Sequence, residues 1–116
     1  MNVGPPPGAP SLRLLHVEDS ELDHQLAMAH LQRGGLHFNT RRVESRAEFE
    51  AALAEPWDAV VSDFNLPGFS GVEALALLRE RDPITPFVLV SGEIGEEVAV
   101  AAMRSGASDY LLKNNL

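Results

Sequence analysis

The segment AVVSDFNLPG, residues 59–68, is the most informative part of this sequence for its architecture. A short apolar run rich in β-branched residues ends in the carboxylate of Asp63, and a turn signal, Pro67-Gly68, follows. This pattern predicts a buried parallel strand that delivers one acid to its C-terminal end. In open α/β sheets, ligands bind at that edge. An acid there could be a metal ligand, a nucleophile or only a helix cap, so other residues must decide its role.

Other predicted strands end in the same way, with a polar or charged side chain directly after an apolar run. These strands and the residues that follow them are 12–17 with Glu18 and Asp19, 86–90 with Ser91, and 109–112 with Lys113. Right-handed crossovers place the C-terminal ends of parallel strands on one edge of the sheet. We therefore expect these side chains to meet Asp63 in one cleft.

Strand and helix signals alternate along the chain at intervals of roughly 20–28 residues, which is typical of βαβ units. A more polar strand is predicted over 37–43. Helix starts are predicted after Ser20, at the capping boxes Ser45–Glu48 and Ser70–Glu73, and at Glu96. In the first helix, Leu22, Leu26 and Ala29 are predicted to face the sheet. The fold class is therefore α/β, with a doubly wound, parallel, five-stranded sheet.

Composition restricts the class of partner. The 116 residues are enough for one domain, and the formal net charge of −8 argues against nucleic acid or an anionic membrane as a direct partner. The chain has no cysteine and no apolar run long enough to span a membrane, so the cytoplasm is the expected location. Residues 1–10 are rich in Pro and Gly and are predicted to form a flexible leader.

The predicted cleft has a chemistry of its own. Glu18, Asp19 and Asp63 would repel one another, at about 4 kcal/mol for two charges 4 Å apart near a protein surface. Such a cluster stays ionised only beside a cation, and hard oxygen ligands favour Mg²⁺. Lys113, the only lysine of the chain, can neutralise a phosphate oxygen, and Ser91 can donate a hydrogen bond to another. The inferred reaction is attack of the Asp63 carboxylate on a phosphoryl group.

Four motifs in this order resemble the receiver domains of two-component response regulators. They are HVEDS at 16–20, VVSDFNLPGFSG at 60–71, VLVSG at 88–92 and GASDYLLK at 106–113. The resemblance covers residues 12–113. It implies the sheet order 2-1-3-4-5, a phosphoryl group taken from a sensor histidine kinase or a histidine phosphotransfer protein, and the absence of enzymatic turnover beyond slow self-dephosphorylation.

The resemblance also implies a role for each matched residue. Asp63 would be the phosphoacceptor. Glu18 and Asp19 would be the acidic pair that holds Mg²⁺, together with Asp63 and the backbone carbonyl of Asn65. Ser91 and Lys113 would bind phosphoryl oxygens. Tyr110 matches the aromatic switch position.

The chain also departs from the family pattern. The acidic pair is Glu-Asp where Asp-Asp is also common, and Asn114 follows Lys113 where many receivers have proline. Residues 11–116 match a receiver domain that lacks its last helix, which predicts exposed apolar surface on one face of the sheet and a homodimer or a longer natural chain. Two other functions stay open: a phosphatase of the haloacid dehalogenase type, which would need an acid where Asn65 stands, and a receiver-like interaction module that is not phosphorylated.

Overall fold

A parallel five-stranded sheet forms the centre of the computed structural model, which describes residues 12–92 and 96–113. The strands of this sheet are β1 (Leu12–Val17), β2 (Phe38–Val43), β3 (Ala59–Asp63), β6 (Phe87–Ser91) and β7 (Asp109–Leu112). Their spatial order is β2-β1-β3-β6-β7. This order is the predicted 2-1-3-4-5 arrangement of a doubly wound α/β fold, so the prediction of the fold class is confirmed.

Four helices connect the strands at the predicted places. They are α1 (Glu21–Arg33), α2 (Arg46–Ala52), α3 (Gly71–Arg81) and α4 (Glu96–Arg104). The first three begin at serine caps, whose side-chain oxygens accept hydrogen bonds from the backbone N–H three residues on, at 3.1–3.2 Å. Within the described ranges, no helix has the length and apolar character needed to cross a bilayer.

A two-stranded ribbon after β3 was not predicted. It pairs β4 (Asn65–Leu66) with β5 (Phe69–Ser70) in antiparallel register. Pro67 and Gly68 form its turn, and Gly68 has a φ of 73°, which glycine adopts without steric cost. The ribbon returns the chain directly to the start of α3, beside the end of β3.

The main core lies between the sheet and helices α2 and α3. Its largest side chains with almost no exposed surface are Phe49, Phe87, Leu15, Leu75 and Leu89. The rings of Phe49 and Phe69 lie 6.0 Å apart, centre to centre, and join α2 to the ribbon. Asp63 therefore stands at the end of a strand that is held firmly on this side.

The prediction for the inner face of α1 was only partly right, because Ala29 is half-buried but the two leucines are exposed. Leu22 and Leu26 are 65% and 60% exposed, and no residue of this helix is fully buried. The half-buried positions of α1 include His24, Ala27, Met28 and Ala29. A cavity of about 300 Å³ opens between α1 and the apolar side chains of the sheet, including Val61, Val88 and Leu111. Leu26 lines this cavity, so its exposure reflects the open space between the helix and the sheet.

Arg79 joins the end of α3 to two loops. Its guanidinium donates to the backbone carbonyls of Asp82, Thr85 and Gly106, at 2.8–3.1 Å. Charged hydrogen bonds of this kind each contribute about 1.5–3 kcal/mol when buried and less when exposed. We expect Arg79→Met to lower the free energy of unfolding in urea by about 1–2 kcal/mol. The exposed Arg81→Met on the same helix is the control, and equal losses in the two variants would contradict this role.

Candidate functional site

Three strand ends bring an acid, a second acid and an amine into contact. Glu18 follows β1, Asp63 ends β3, and Lys113 follows β7. Lys113 Nζ lies 3.2 Å from Glu18 Oε1 and 3.2 Å from Asp63 Oδ2. Lys113 is separated from Asp63 by 50 positions in the sequence and from Glu18 by 95. The three side chains nevertheless form one cluster, as the strand-end pattern predicted.

The carboxylates of Glu18, Asp19 and Asp63 form the one group of three metal-binding side chains found in the described part of the chain. Each offers an oxygen that lies within 4.8 Å of the others. Glu18 and Asp63 are buried, at 3% and 8% exposure, whereas Asp19 is exposed. An all-oxygen set that is buried on one side and open on the other can hold a hard divalent cation and leave positions for water or another ligand.

The electrostatics of the cluster favour an added cation. Burial, and next the charge of Asp63, raise the pKa of Glu18 to about 7, although the ammonium of Lys113 acts in the opposite direction. Burial alone would lower the pKa of Lys113, but the hydrogen bonds that its ammonium donates to Asp23 and Asp63 outweigh burial and raise that pKa. Lys113 therefore stays charged at neutral pH, and one ammonium does not fully compensate the acids around it.

The backbone of Asp63 is fixed by close packing against the start of α3. The Ser62 hydroxyl donates to the Asp63 carbonyl at 2.9 Å, and the N–H of Gly71 donates to the carbonyl of Phe64 at 2.8 Å. A Cβ atom at Gly71 would lie 2.4 Å from the Asp63 carbonyl oxygen. Only glycine fits this contact without a shift of the chain, so Gly71 helps to set the position of the carboxylate.

The remaining predicted residues lie at the same edge or close behind it. Ser91 is buried at the end of β6 and is in register with Leu112, next to Lys113. Asn65 is exposed, two residues after Asp63. Tyr110 is half-buried in β7, in register with Leu89, and packs against the main core. The roles of these three residues stay predictions.

Asp23 is a member of the site that the sequence analysis missed. Its Oδ2 lies 2.9 Å from Lys113 Nζ, closer than the contacts of the lysine with Glu18 and Asp63. A signal was present, because Asp23 lies in the first turn of the helix that starts directly after the acidic pair.

A histidine pair lies beside the site. His16 is buried, as predicted, and its Nδ1 is 2.8 Å from Nδ1 of His24. Burial lowers the pKa of His16 to about 4, with smaller contributions from His24 and Lys113. At neutral pH His16 is therefore uncharged and adds no positive charge to the carboxylates.

Comparison with known proteins agrees with this geometry. A family model for the response regulator receiver domain matches residues 14–115. The response regulator protein FleR of Pseudomonas aeruginosa is 37% identical over 102 residues, which cover 87% of this chain and 21% of that protein. This chain spans 21–33% of the length of FleR and two further curated response regulators, DctD and PfeR.

Solved structures share the fold. A response regulator from Burkholderia pseudomallei, with a phosphorylated aspartic acid, a calcium ion and citrate, has a TM-score of 0.76 at 26% identity, over 89% of this chain and 60% of that one. The receiver domain of the sensor histidine kinase PA1611 from P. aeruginosa, with a magnesium ion in its active-site cleft, has a TM-score of 0.73 at 20% identity, over 90% of this chain and 86% of that one.

Proposed function

This chain belongs to the response regulator receiver domain family, and from that premise we propose that Asp63 accepts a phosphoryl group from a phosphohistidine. The donor would be a sensor histidine kinase or a histidine phosphotransfer protein. A carboxylate oxygen of Asp63 attacks phosphorus and the bond from phosphorus to the donor nitrogen breaks. The leaving imidazole keeps that electron pair and takes up a proton from solvent.

The observation that carries this proposal is the contact of Lys113 Nζ with Asp63 Oδ2 at 3.2 Å, beside the acidic cluster. In this arrangement the carboxylate oxygens of Asp63 lie at the C-terminal edge of the sheet, next to the positive charge of the Lys113 ammonium. That charge can stabilise an incoming phosphoryl oxygen because it already lies beside the acceptor. Ser91, buried at the neighbouring strand end, is proposed to donate a hydrogen bond to a second phosphoryl oxygen.

Mg²⁺ fits the donor set of the cluster. Glu18, Asp19, Asp63 and the backbone carbonyl of Asn65 are proposed to hold it, and all of these donors are oxygens, which this cation prefers. The bound ion would supply charge neutralisation between the carboxylates and the phosphoryl group. Tyr110, whose ring packs on the core from β7, is proposed as the residue that reports phosphorylation to a partner surface.

The proposal is tested by incubation of the chain with Mg²⁺ and a small acyl phosphate, followed by intact mass spectrometry. We expect a mass gain of one phosphoryl group that needs Mg²⁺ and is absent after chelation. Rapid multiple turnover of assorted phosphomonoesters would indicate a phosphatase instead. A protein that binds partners but never gains mass would indicate an interaction module without phosphorylation.

The affinity for Mg²⁺ should depend on pH through Glu18. Because the pKa of this carboxyl is raised to about 7, the metal-free protein holds a proton there at a pH where an ordinary glutamate does not. A cation must displace that proton, so affinity is full only well above pH 7 and falls as the pH drops through and below 7, by up to about tenfold per pH unit. Calorimetric titrations at several pH values measure this slope. Glu18→Gln should bind more weakly with a flatter profile, and a constant affinity in the wild type would contradict the prediction.

The partners follow from the same chemistry. The net charge of −8 disfavours nucleic acid and anionic membranes, and we propose a cytoplasmic protein that meets a kinase there. A second copy of this chain is a further proposed partner, because the apolar cavity beside α1 and the exposed Leu22 and Leu26 offer uncovered surface. Light scattering that shows a stable monomer in dilute solution would remove the homodimer.

A further inference from the structure

Lys113 is shared among three carboxylates, and the nearest of them lies outside the candidate metal cluster. Its Nζ is 2.9 Å from Asp23 Oδ2, against 3.2 Å for both Glu18 and Asp63. The group of potential metal ligands contains Glu18, Asp19 and Asp63, not Asp23. The ammonium therefore has one partner that can keep it when a cation takes the others.

The position of Asp23 suits it to bind the Lys113 ammonium. Its backbone N–H donates to the Ser20 side chain at 3.1 Å, so the first turn of α1 fixes its main chain. Its side chain is 41% exposed, whereas those of Glu18 and Asp63 are 4% and 10% exposed. Asp23 thus offers the ammonium a partner that is more exposed than the two buried acids.

We propose that Asp23 is a positioning residue that holds the Lys113 ammonium. By holding it, Asp23 favours binding of the cation at Glu18 and Asp63. Asp23 also competes with the phosphoryl group for the lysine. This inference rests on the proposed function. Without Asp23, the lysine would pair only with the two acids that the cation needs. Without Asp23, the same lysine would also be released to a phosphoryl oxygen, and one negative charge near that oxygen would be gone.

The two effects have opposite signs, which gives the proposal its test. In Asp23→Asn, we expect Mg²⁺ to bind about three- to tenfold more weakly. At saturating Mg²⁺, we expect beryllofluoride, a stable mimic of the phosphoryl group, to bind about three- to tenfold more tightly. Isothermal titration calorimetry measures both affinities. A variant that merely disturbed the structure would weaken both.

Two matched variants test whether the effect depends on a carboxylate at position 23 or only on the net charge of this helix turn. Asp23→Glu keeps the carboxylate and should return both affinities towards wild type. Glu21→Gln removes one charge from the same turn of α1, but at an exposed side chain that pairs with Arg42. It should leave both affinities within about twofold of wild type because exposed charges are screened.

The single lysine provides an independent readout. With ¹³C-labelled lysine, the chain gives one Cε resonance, and it should move in Asp23→Asn and stay in place in Glu21→Gln. Unchanged affinities in Asp23→Asn, losses of both, or equal shifts in Glu21→Gln would overturn the inference while the proposed function stands. A wild-type chain that binds neither Mg²⁺ nor beryllofluoride would overturn both.

Discussion

Asp63→Asn is expected to abolish uptake of a phosphoryl group from an acyl phosphate in the presence of Mg²⁺. The substitution replaces the nucleophilic carboxylate with an amide of nearly the same shape, which is a poor nucleophile and a weaker ligand for a hard cation. It leaves Lys113, Glu18 and Asp19 in place. Intact mass spectrometry should therefore show no phosphorylated species, and the fold should persist in circular dichroism.

Asp109→Asn is the matched control for this experiment. It makes the same chemical change at an exposed aspartate that begins β7, whereas the site lies where that strand ends. This variant should be phosphorylated like the wild type. If Asp63→Asn still gained one phosphoryl group, peptide mapping would show whether Glu18 or Asp19 had accepted it, and the assignment of Asp63 as the acceptor would be wrong.

The strand ends could be predicted from the sequence because their signal is local. Each buried parallel strand is a short apolar run, and the residue after it falls at the C-terminal edge regardless of how the helices pack. Handedness then places all these edges together. The cluster of Glu18, Asp63 and Lys113 follows from these two rules alone, and the contacts at 3.2 Å confirm it.

The packing of the helices and the close contacts of the backbone were harder to predict from the sequence, because they depend on neighbours that are distant along the chain. The pattern of α1 predicted Leu22, Leu26 and Ala29 as the inner face, but the two leucines are exposed and the half-buried positions include polar His24. Asp23 looked like an ordinary acid in a first helical turn, and only the position of Lys113, 90 residues away, gives it a role. The ribbon of β4 and β5 is too short to show an alternating pattern.

Gly71 is the clearest case of a residue whose role requires the structure. In sequence it stands between a serine cap and an apolar helix, where alanine would be the better helix former by up to about 1 kcal/mol. In the structure, a Cβ there would lie 2.4 Å from the Asp63 carbonyl oxygen and 2.5 Å from a methyl carbon of Leu89. Helix propensity thus predicts that Gly71→Ala stabilises the protein, whereas packing predicts that it destabilises it.

We expect packing to dominate, because the contacted oxygen belongs to a central strand that cannot move freely. Gly71→Ala should lower the free energy of unfolding by about 1–3 kcal/mol in urea denaturation. Displacement of Asp63 should also slow phosphorylation by acyl phosphate, by up to about a hundredfold, because the distances to Lys113 and to the cation would change together.

Gly34→Ala is the control for the loss of a glycine. Gly34 caps α1 with a φ of −79°, and a Cβ there would meet its nearest neighbour at 3.4 Å, an ordinary contact. This variant should have nearly the same free energy of unfolding and nearly the same phosphorylation rate as the wild type. A stabilised Gly71→Ala protein would mean that helix propensity outweighs the contact, and that α3 can shift without moving the acceptor. A destabilised protein with an unchanged phosphorylation rate would separate the two roles, because the packing at Gly71 would then support the fold without setting the geometry of Asp63.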